Sequence, residues 1–311
     1  MRAAPRAEPA AVVGPCVKVQ CPAKVNLFLE VTGRRRDGNH NLATLFAKIN
    51  LFDGLELEAI AEPRVELSIE NRTAAPLDAG PENLVSRAAE AYRERFGIEH
   101  GVRIRLEKKI PIGAGLGGGS SDAAGTLVGM ARLCGRKLDR VHRAGLKRIG
   151  SSLGADVPFF LQEQPYAIGG GVGDELEALE VAKAPPPMIL VYPRVEIGTA
   201  GVYKALELPA GPVALTRISQ LGKLRKKLAA GRPISEWAEL LFNRLEDPVL
   251  RSYGQVRQAK EILERLGAKG ALMSGSGSSV FGFFPEAGEA ERAAGRLRGY
   301  PWEVFVTCCL G

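Results

Sequence analysis

A glycine-rich segment at residues 111–121, with the sequence PIGAGLGGGSS, has the residue types that phosphate binding needs. Glycines let the backbone come close to a ligand and turn several N–H groups toward it. The apolar pattern that follows predicts a helix over residues 122–133, whose N-terminal N–H groups and positive dipole end favour an anion. Ser120 and Ser121 add hydroxyl donors, so the segment predicts a phosphate-binding loop. The alternative is a helix entry turn that binds nothing.

This loop matches two well-known nucleotide motifs only poorly. Gly113, Gly115 and Gly118 fit the G-x-G-x-x-G pattern of dinucleotide-binding folds. That pattern should follow a buried apolar strand and precede, by about 20 residues, an acidic residue at the end of a second strand. Here the preceding strand alternates with charged residues and ends at Pro111, and Asp139 opens another predicted helix. This context makes a nicotinamide-dependent oxidoreductase a disfavoured alternative. The Walker P-loop pattern is also absent, because no lysine follows the glycines.

Hydrophobic patterning predicts the elements that would position this loop. In the first half it predicts five strands and three helices, with strands at residues 17–20, 25–32, 55–60, 65–69 and 102–106, and helices at 83–96, 122–133 and 138–149. The second half shows a strand at 188–192, several helices between 199 and 266, a strand–loop–strand unit around 274–278, a helix at 286–297 and a strand at 303–307. We predict a flexible tail at 1–16, an N-terminal domain at 17–163 and a C-terminal domain at 164–311.

The composition is that of a globular protein in a reducing compartment. Of the 311 residues, 45% are hydrophobic and 25% are charged, and no apolar run approaches the roughly 18 residues of a membrane span. The N-terminal residues lack the compact apolar stretch of a signal peptide. Five cysteines, two of them adjacent and none in a C-x-x-C with a partner histidine, indicate neither a disulfide framework nor a metal site. We expect a cytoplasmic protein.

The charge of the chain suits a phosphorylated partner. Forty-two basic and 35 acidic residues give a net charge of +7, which fits either a nucleic acid or a phosphorylated small molecule. An RNA-binding surface should show exposed aromatic residues or a concentrated basic stripe, but aromatic residues are only 6% and the basic ones are scattered. We therefore expect a small-molecule substrate, no nucleic acid or membrane partner, and a monomer or weak homodimer.

Three blocks of the chain together resemble a known superfamily of small-molecule kinases. Residues 22–29 (PAKVNLFL), 111–122 and 274–278 (SGSGS) look like the three motifs of the galactokinase, homoserine kinase, mevalonate kinase and phosphomevalonate kinase (GHMP) superfamily. The resemblance implies an α+β, two-domain GHMP-kinase fold, with a ribosomal-protein-S5-domain-2-like N-terminal domain and an α/β C-terminal domain. ATP and the substrate would meet in the cleft between the domains.

Further blocks resemble one family within this superfamily. Residues 32–40 (TGRRRDGNH), 83–84 (NL) and 154–158 (GADVP) are similar to the 4-diphosphocytidyl-2-C-methyl-D-erythritol kinase family. The resemblance extends from about residue 17 to the last strand, with the blocks in the same order and at similar distances. It implies ATP- and Mg²⁺-dependent phosphorylation of the 2-hydroxyl of a cytidine diphosphate sugar alcohol, a step of the non-mevalonate route to isoprenoids. Another GHMP kinase, of sugar, homoserine or mevalonate type, is the nearest alternative.

The resemblance also implies roles for individual residues. Asp156 would be the catalytic base and Lys24 its partner. The ATP site would be formed by Asn83, Leu84, Lys108, Pro111, Ile112, Gly113, Ala114, Gly115, Leu116, Gly117, Gly118, Gly119, Ser120 and Ser121. The substrate site would be formed by Asn26, Asn39, His40, Asp156, Thr199, Tyr203, Gly275 and Ser276. In this scheme His40 hydrogen-bonds the cytosine, Tyr203 stacks on it, and the loop at 274–278 closes the far side of the site.

Physical chemistry is consistent with the two catalytic assignments. An alcohol is a poor nucleophile at neutral pH, and a carboxylate within hydrogen-bond reach can accept its proton. A lysine beside Asp156 would keep the carboxylate ionised and stabilise the charge of the transferred phosphoryl group. Mg²⁺ needs few protein ligands when phosphates and water fill most of its coordination shell. A helix cap at Asp156 and a surface lysine at Lys24 are the purely structural alternatives.

One residue departs from the family pattern. The family has tyrosine before the histidine, whereas this chain has Asn39 before His40. Because asparagine cannot stack on a pyrimidine, we expect one face of the cytosine to lack an aromatic partner from this position, unless another ring such as Phe46 or Tyr166 replaces it.

Overall fold

The computed structural model describes residues 16–208 and 211–311. The flexible tail expected at residues 1–16 therefore lies, apart from Cys16, outside the described residues. Within the described ranges the chain forms two β-sheets that are covered by helices. None of the helices in these ranges is both long enough and apolar enough to cross a lipid bilayer.

A long antiparallel hairpin is the centre of the first sheet. The strands of this sheet are β1 (Val17–Arg34), β2 (His40–Ile60), β3 (Val65–Asn71), β4 (Gly101–Lys108), β5 (Tyr166–Gly170), β6 (Glu175–Ala178) and β8 (Phe242–Asn243). Their main order is β3-β4-β2-β1-β8, and β5 and β6 add to the first part of β2. The hairpin of β1 and β2 thus pairs directly with β4, β5 and β8, whereas β3 pairs with β4 and β6 pairs with β5.

The two strands expected at 17–20 and 25–32 form the single strand β1. Its register against β2 shifts between Pro22 and Ala23. Proline has no N–H to give to a neighbouring strand, and such a shift lets the strand continue past it. The residue Lys24 follows directly after this irregularity.

Four helices cover one face of the first sheet. They are α1 (Leu84–Phe96), α2 (Gly118–Leu133), α3 (Arg140–Leu153) and α4 (Val157–Phe160). Leu127 and Met130 of α2 pack with Leu57 and Ile104 of the sheet in one buried cluster. At Gly125 a Cβ would lie 2.3 Å from the Cys21 sulfur, so α2 can cross β1 this closely only because no side chain is present. This close packing fixes the position of the N-terminus of α2.

The second sheet is smaller and antiparallel throughout. Its strands are β7 (Met188–Tyr192), β9 (Lys269–Met273), β10 (Val280–Phe283) and β11 (Glu303–Thr307), in the order β11-β7-β10-β9. The helices of this half are α5 (Thr199–Lys204), α6 (Gly211–Ala229), α7 (Glu246–Ser252), α8 (Gly254–Arg265) and α9 (Ala287–Arg296). Val256 and Leu263 of α8 are buried with Met273 and Val280 of the sheet.

The two sheets share a hydrophobic core. Phe28 of β1 and Leu45 of β2 are buried in the same cluster as Leu190 of β7 and Phe281 of β10. Strands β5, β6 and β8 come from the second half of the sequence but join the first sheet. The division at residue 163 stays a prediction, and the first sheet draws strands from both sides of it.

Candidate active site

The glycine-rich segment forms a tight loop between β4 and α2. Gly113, Gly115 and Gly117 have φ angles of 65°, 75° and 69°, which is the left-handed region that favours glycine. Helix α2 begins at Gly118, four residues before the sequence pattern predicted, and Gly117 caps it without a side-chain hydrogen bond. The N–H groups of the first helical turn have no acceptor within the helix. The anion site expected at this position stays a prediction, and these N–H groups are the ones that it would use.

The loop lies between two cavities. The larger, of about 1280 Å³, contains Lys24, Asp156, His40 and Tyr203 in its lining. The smaller, of about 520 Å³, is lined by the loop and by residues that include Asn83, Leu84 and Lys108. Four loop residues border both cavities, namely Gly113, Gly115, Gly117 and Ser120. A group held by the loop can therefore be reached from either side.

Lys24 and Asp156 form the charged pair of the larger cavity. The Lys24 Nζ lies 3.6 Å from Asp156 Oδ2, and the two side chains are 5% and 31% exposed. Lys24 Nζ also donates to Asn26 Oδ1 at 2.7 Å, and Asn26 Nδ2 donates to the Thr44 hydroxyl at 2.8 Å. That hydroxyl donates in turn to the carbonyl oxygen of Phe28. The ammonium is thus fixed by a buried network, while the carboxylate remains open to the cavity.

The short helix α4 positions Asp156, which is the residue at its N-terminal cap. It stands directly before Val157, and it makes no side-chain cap of that helix. Phe160 of α4 lies beneath the glycine loop, because a Cβ at Gly117 would be 3.0 Å from its ring and 3.1 Å from the Lys24 side chain. Helix α4, the loop and Lys24 are therefore in mutual contact.

The loop at 274–278 closes the glycine loop from the other half of the chain. The Ser274 hydroxyl donates to the Gly115 carbonyl oxygen at 3.0 Å. Asn243 of β8 holds the closing loop with its Nδ2 group, which donates to the carbonyls of Met273 at 2.8 Å and Gly275 at 2.7 Å. Asn243 could not be predicted from the sequence, because it lies in no motif. Its contacts form only when β8 pairs with the distant strand β1.

Two of the residues predicted to bind the substrate are hydrogen-bonded to each other. The hydroxyl groups of Thr199 and Ser276 lie 2.8 Å apart. Thr199 begins helix α5, which also carries Tyr203. Both residues, with Gly275, line the larger cavity.

An aromatic pair forms another wall of the larger cavity. The rings of His40 and Tyr203 are stacked, with centroids 4.9 Å apart and planes inclined by 27°. Burial and, to a smaller extent, the nearby charge of Asp156 together raise the pKa of Tyr203 to about 12. Asn39 is exposed on the turn before β2, and its backbone N–H donates to Asp37 Oδ1 at 3.0 Å. The stack is therefore formed without any contribution from an aromatic side chain at position 39.

The two rings that could have replaced a tyrosine at position 39 are engaged elsewhere. Phe46 borders the larger cavity but is buried and stacked on Phe159, with ring centroids 4.9 Å apart. Tyr166 is buried in the core shared by the two sheets and does not line the cavity.

The smaller cavity contains the predicted adenine contacts, but their polar groups have protein partners. Asn83 is the N-cap of α1: its Oδ1 accepts from the N–H of Val85 at 2.9 Å, and its Nδ2 donates to the Asp78 carbonyl at 2.7 Å. Leu84, by contrast, presents an apolar surface. Its Cδ1 would lie 3.4 Å from a Cβ at Gly119.

Lys108 belongs to a buried triad with two aspartates. Its Nζ lies 2.5 Å from Asp53 Oδ2 and 2.6 Å from Asp122 Oδ2, and all three side chains are almost fully buried. Asp53 Oδ1 also accepts from the backbone N–H groups of Lys109 and Ile110. A Cβ at Gly118 would be 2.9 Å from Lys108 Nζ, so the ammonium lies directly under the first turn of α2.

The triad has one cation for two carboxyl groups. Burial raises the pKa of Asp122 to about 7, against the opposing attraction of Lys108. The Oδ1 atom of Asp122 is buried and has no hydrogen-bond partner among residues 16–208 and 211–311. The sequence analysis expected Lys108 near the nucleotide but did not foresee that two buried acids hold it.

The cavities thus contain nearly all of the predicted site residues. Ser121 is the exception, since it lines neither cavity and its buried hydroxyl has no partner in the part of the chain that the structure describes. Arg34, Asp174 and Lys204 line the larger cavity and were not predicted. No group of three or more histidine, cysteine, aspartate or glutamate residues that could hold a metal ion occurs in the described residues.

Comparison with known families matches both halves of the chain to GHMP kinases. Residues 83–164 match the family "GHMP kinases N terminal domain", and residues 224–301 match "GHMP kinases C terminal".

Curated relatives carry one common name. The chain is 41% identical over 287 residues to the 4-diphosphocytidyl-2-C-methyl-D-erythritol kinase of Syntrophotalea carbinolica, which covers 92% of this chain and 96% of that protein. It is 39% identical to the kinase of the same name from Geobacter sp. (strain M21), over 90% of this chain and 94% of the relative.

Solved structures agree with these relatives. A crystal structure of 4-(cytidine 5'-diphospho)-2C-methyl-D-erythritol kinase is 37% identical and superimposes with a TM-score of 0.77, over 95% of this chain and all of that one (100%). Homoserine kinase from Cytophaga hutchinsonii is only 22% identical but has a TM-score of 0.73, over 94% of each chain, and it shows the common fold. The expected two-domain GHMP-kinase fold is therefore confirmed. This chain belongs to the 4-diphosphocytidyl-2-C-methyl-D-erythritol kinase family of GHMP kinases, and it is a kinase of isoprenoid biosynthesis.

Proposed function

We propose that this enzyme transfers a phosphoryl group from ATP to the 2-hydroxyl of 4-diphosphocytidyl-2-C-methyl-D-erythritol, in the non-mevalonate route to isoprenoids. One observation carries the proposal: the glycine loop borders two cavities, and the Lys24–Asp156 pair lies on the side of the larger one. The nucleotide would occupy the smaller cavity and the cytidine substrate the larger. The relatives at 39–41% identity, all named for this substrate, favour it over other GHMP-kinase substrates.

Asp156 is the proposed general base. Its carboxylate is the more exposed partner of the pair, so an alcohol in the larger cavity can reach it. Accepting the hydroxyl proton as the oxygen attacks phosphorus contributes about 10²–10⁴-fold to the rate. Lys24 offers positive charge near the attacking oxygen. The hydrogen bond from Lys24 to Asn26 keeps the ammonium at this position when no ligand is bound.

The backbone of the glycine loop is proposed to hold the ATP phosphates. The free N–H groups at the start of α2 belong to residues that line the smaller cavity, and they suit a polyphosphate without a lysine from the loop itself. Bound ATP would supply the phosphoryl group, and Mg²⁺ would take most of its ligands from phosphates and water. Leu84 offers an apolar contact for the adenine, and Asn83 and Lys108 border the same cleft.

His40 and Tyr203 are proposed to bind the cytosine, by a hydrogen bond and by stacking. Their rings are in contact, with centroids 4.9 Å apart. Because the two rings already contact each other, a base can enter between them only if they move apart. Asn26, Thr199, Gly275 and Ser276 would contact the rest of the substrate. We further propose that the enzyme works as a monomer or weak homodimer and does not bind nucleic acid.

The experiment compares the wild type with Asp156→Asn in a coupled assay of ADP release. Asp156→Asn keeps the shape of the side chain and removes the proton acceptor, so kcat should fall about 10²–10⁴-fold while the Kd for ATP stays the same. Asp174→Asn makes the same chemical change elsewhere in the larger cavity and serves as the control. Near-normal kcat in Asp156→Asn would remove Asp156 from the base role.

The substrate is tested separately from the base. The wild type should phosphorylate 4-diphosphocytidyl-2-C-methyl-D-erythritol and should leave mevalonate and homoserine unchanged at the same concentration. Turnover of either of the latter at a comparable kcat/KM would favour a different GHMP kinase activity.

A further inference from the structure

Two cations in the larger cavity have no anionic partner. Arg34, at the end of β1, and Lys204, at the end of α5, both line the cavity. Neither side chain makes an ion pair or a hydrogen bond with another residue of the described ranges 16–208 and 211–311. By contrast Arg35, the neighbour of Arg34, pairs with Asp37 at 3.4 Å. Unpaired cations facing a cavity are available to an anionic ligand.

The other charged groups of this cavity leave an excess of positive charge. Lys24 and Asp156 pair with each other at 3.6 Å. Asp174 is the remaining carboxylate in the lining, and its Oδ1 accepts the N–H of Val172 at 3.3 Å. Against this single carboxylate stand the side chains of Arg34 and Lys204.

The two cations flank the aromatic pair. In the register of β1 and β2, Arg34 is opposite His40. Lys204 follows Tyr203 in α5. Both cations are therefore attached to the backbone beside the rings that would bind the base. In a cytidine diphosphate, the diphosphate is attached through the ribose, close to the base and distant from the reacting hydroxyl.

We propose that Arg34 and Lys204 form a subsite for the diphosphate of the cytidine substrate, separate from the glycine loop that would hold the ATP phosphates. This inference rests on the proposed function. The guanidinium of Arg34 can bind two phosphate oxygens at once, and the ammonium of Lys204 adds a point charge. The subsite selects nucleoside diphosphates over uncharged nucleosides.

The test measures binding and needs no turnover. Titration calorimetry gives the Kd values of CDP and cytidine for the wild type, Arg34→Gln, Lys204→Met and the double variant. The ratio of the cytidine Kd to the CDP Kd should fall about two- to five-fold in each single variant and about ten-fold in the double variant, as for exposed ion pairs. Raising the salt concentration from about 0.05 to about 0.5 M should lower this Kd ratio in the wild type, because salt screens the ion pairs, and should lower it less in the double variant.

Arg36→Gln is the matched control, because Arg36 lies on the same turn, is exposed and does not line the cavity. It should leave the ratio unchanged. If the wild type binds both ligands and the double variant keeps the wild-type ratio, the subsite is refuted and the proposed function stands. If the wild type binds neither ligand, both are refuted. An equal loss in Arg36→Gln would indicate a general effect of net charge and would also refute the subsite.

Discussion

Asp122→Asn should make the protein relatively more stable as the pH rises. Burial raises the pKa of the Asp122 carboxyl from its ordinary 3.8 to about 7 in the folded protein. Between these two pH values the folded state binds more protons at this site than the unfolded state, so the contribution of Asp122 to stability falls as the pH rises. Asparagine does not titrate and lacks this dependence.

The size of the effect follows from the pH window. At pH 5 most of the Asp122 carboxyl is protonated in the folded state, so Asn resembles it. At pH 8 most of the Asp122 carboxyl is instead ionised, although it is buried beside Asp53 and Lys108. From pH 5 to pH 8 the free energy of unfolding of Asp122→Asn should gain on the order of 2 kcal/mol over that of the wild type. For a chain of 311 residues this corresponds to a relative gain in Tm of about 3 °C.

The assay is thermal unfolding of both proteins at half-unit steps from pH 5 to pH 8. Glu58→Gln provides the control, because Glu58 is an exposed residue of the same strand as Asp53 and has no ion pair within the described residues. Its Tm difference from the wild type should not vary over this range. Lys108→Met, which leaves both acids buried without a cation, should cost about 3–5 kcal/mol at pH 8. A Tm difference for Asp122→Asn that is constant or that declines with pH would refute the account of the triad.

Two further predictions concern ligand binding. Gly119→Val should raise the KM for ATP about ten-fold or more, because its side chain would stand beside Leu84 in the lining of the smaller cavity and take up space there. Tm should change little, because a Cβ at Gly119 would lie 3.4 Å from Leu84 Cδ1, an ordinary contact distance. An unchanged KM would remove the nucleotide from this cleft. Valine at Gly117 is a poorer test because it would press on the Lys24 side chain. Asn39→Tyr should lower the KM for the cytidine substrate about 2- to 12-fold and leave kcat unchanged, because a stacked ring adds about 0.5–1.5 kcal/mol. A higher KM in steady-state kinetics would show that position 39 has no room for a ring beside the base.

The sequence predicted the glycine-rich loop and the helix after it well, because the requirements of this turn are local. Left-handed backbone angles at Gly113, Gly115 and Gly117 need glycine, and the helix that follows must start where the glycines end. The start of α2 was placed at Asp122 although the helix begins at Gly118. Glycine and serine have weak helix propensity, so packing against the sheet, rather than propensity, extends the helix into the loop.

The supporting residues could not be predicted because they meet only after folding. Asp53 precedes a glycine and resembles a turn residue, yet it is 55 positions from Lys108, the lysine with which it pairs. Strand β8 is two residues long, and it adds to β1 at Phe28 across more than 200 positions of sequence. Asn243, which holds the closing loop, lies in that strand. No periodicity within a short window contains such pairings.

The first part of β2 was also missed, although it carries His40 and Thr44. Residues 40–54 show no strict alternation, because helices cover one face of the strand and the core shared with the second sheet covers the other. Phe46 packs on Phe159 of α4, while Leu45 faces the shared core. A strand buried on both sides has a continuous apolar pattern that is not distinctive of a strand.

The register of the long hairpin determines which side chains reach the larger cavity. Lys24 and Asn26 are two residues apart, so they share one face of β1 and are hydrogen-bonded there. A shift of one residue would turn every later side chain to the opposite face. Between Lys24 and Arg34 the register of β1 against β2 shifts twice by one residue, and Leu27 and Thr32 are the extra residues. Because the two shifts cancel in their effect on facing, Arg34 returns to the cavity that Lys24 borders. Lys24 and Arg34 thus reach the same cavity only because both bulges are present, and loss of either bulge would turn Arg34 to the opposite face of the strand.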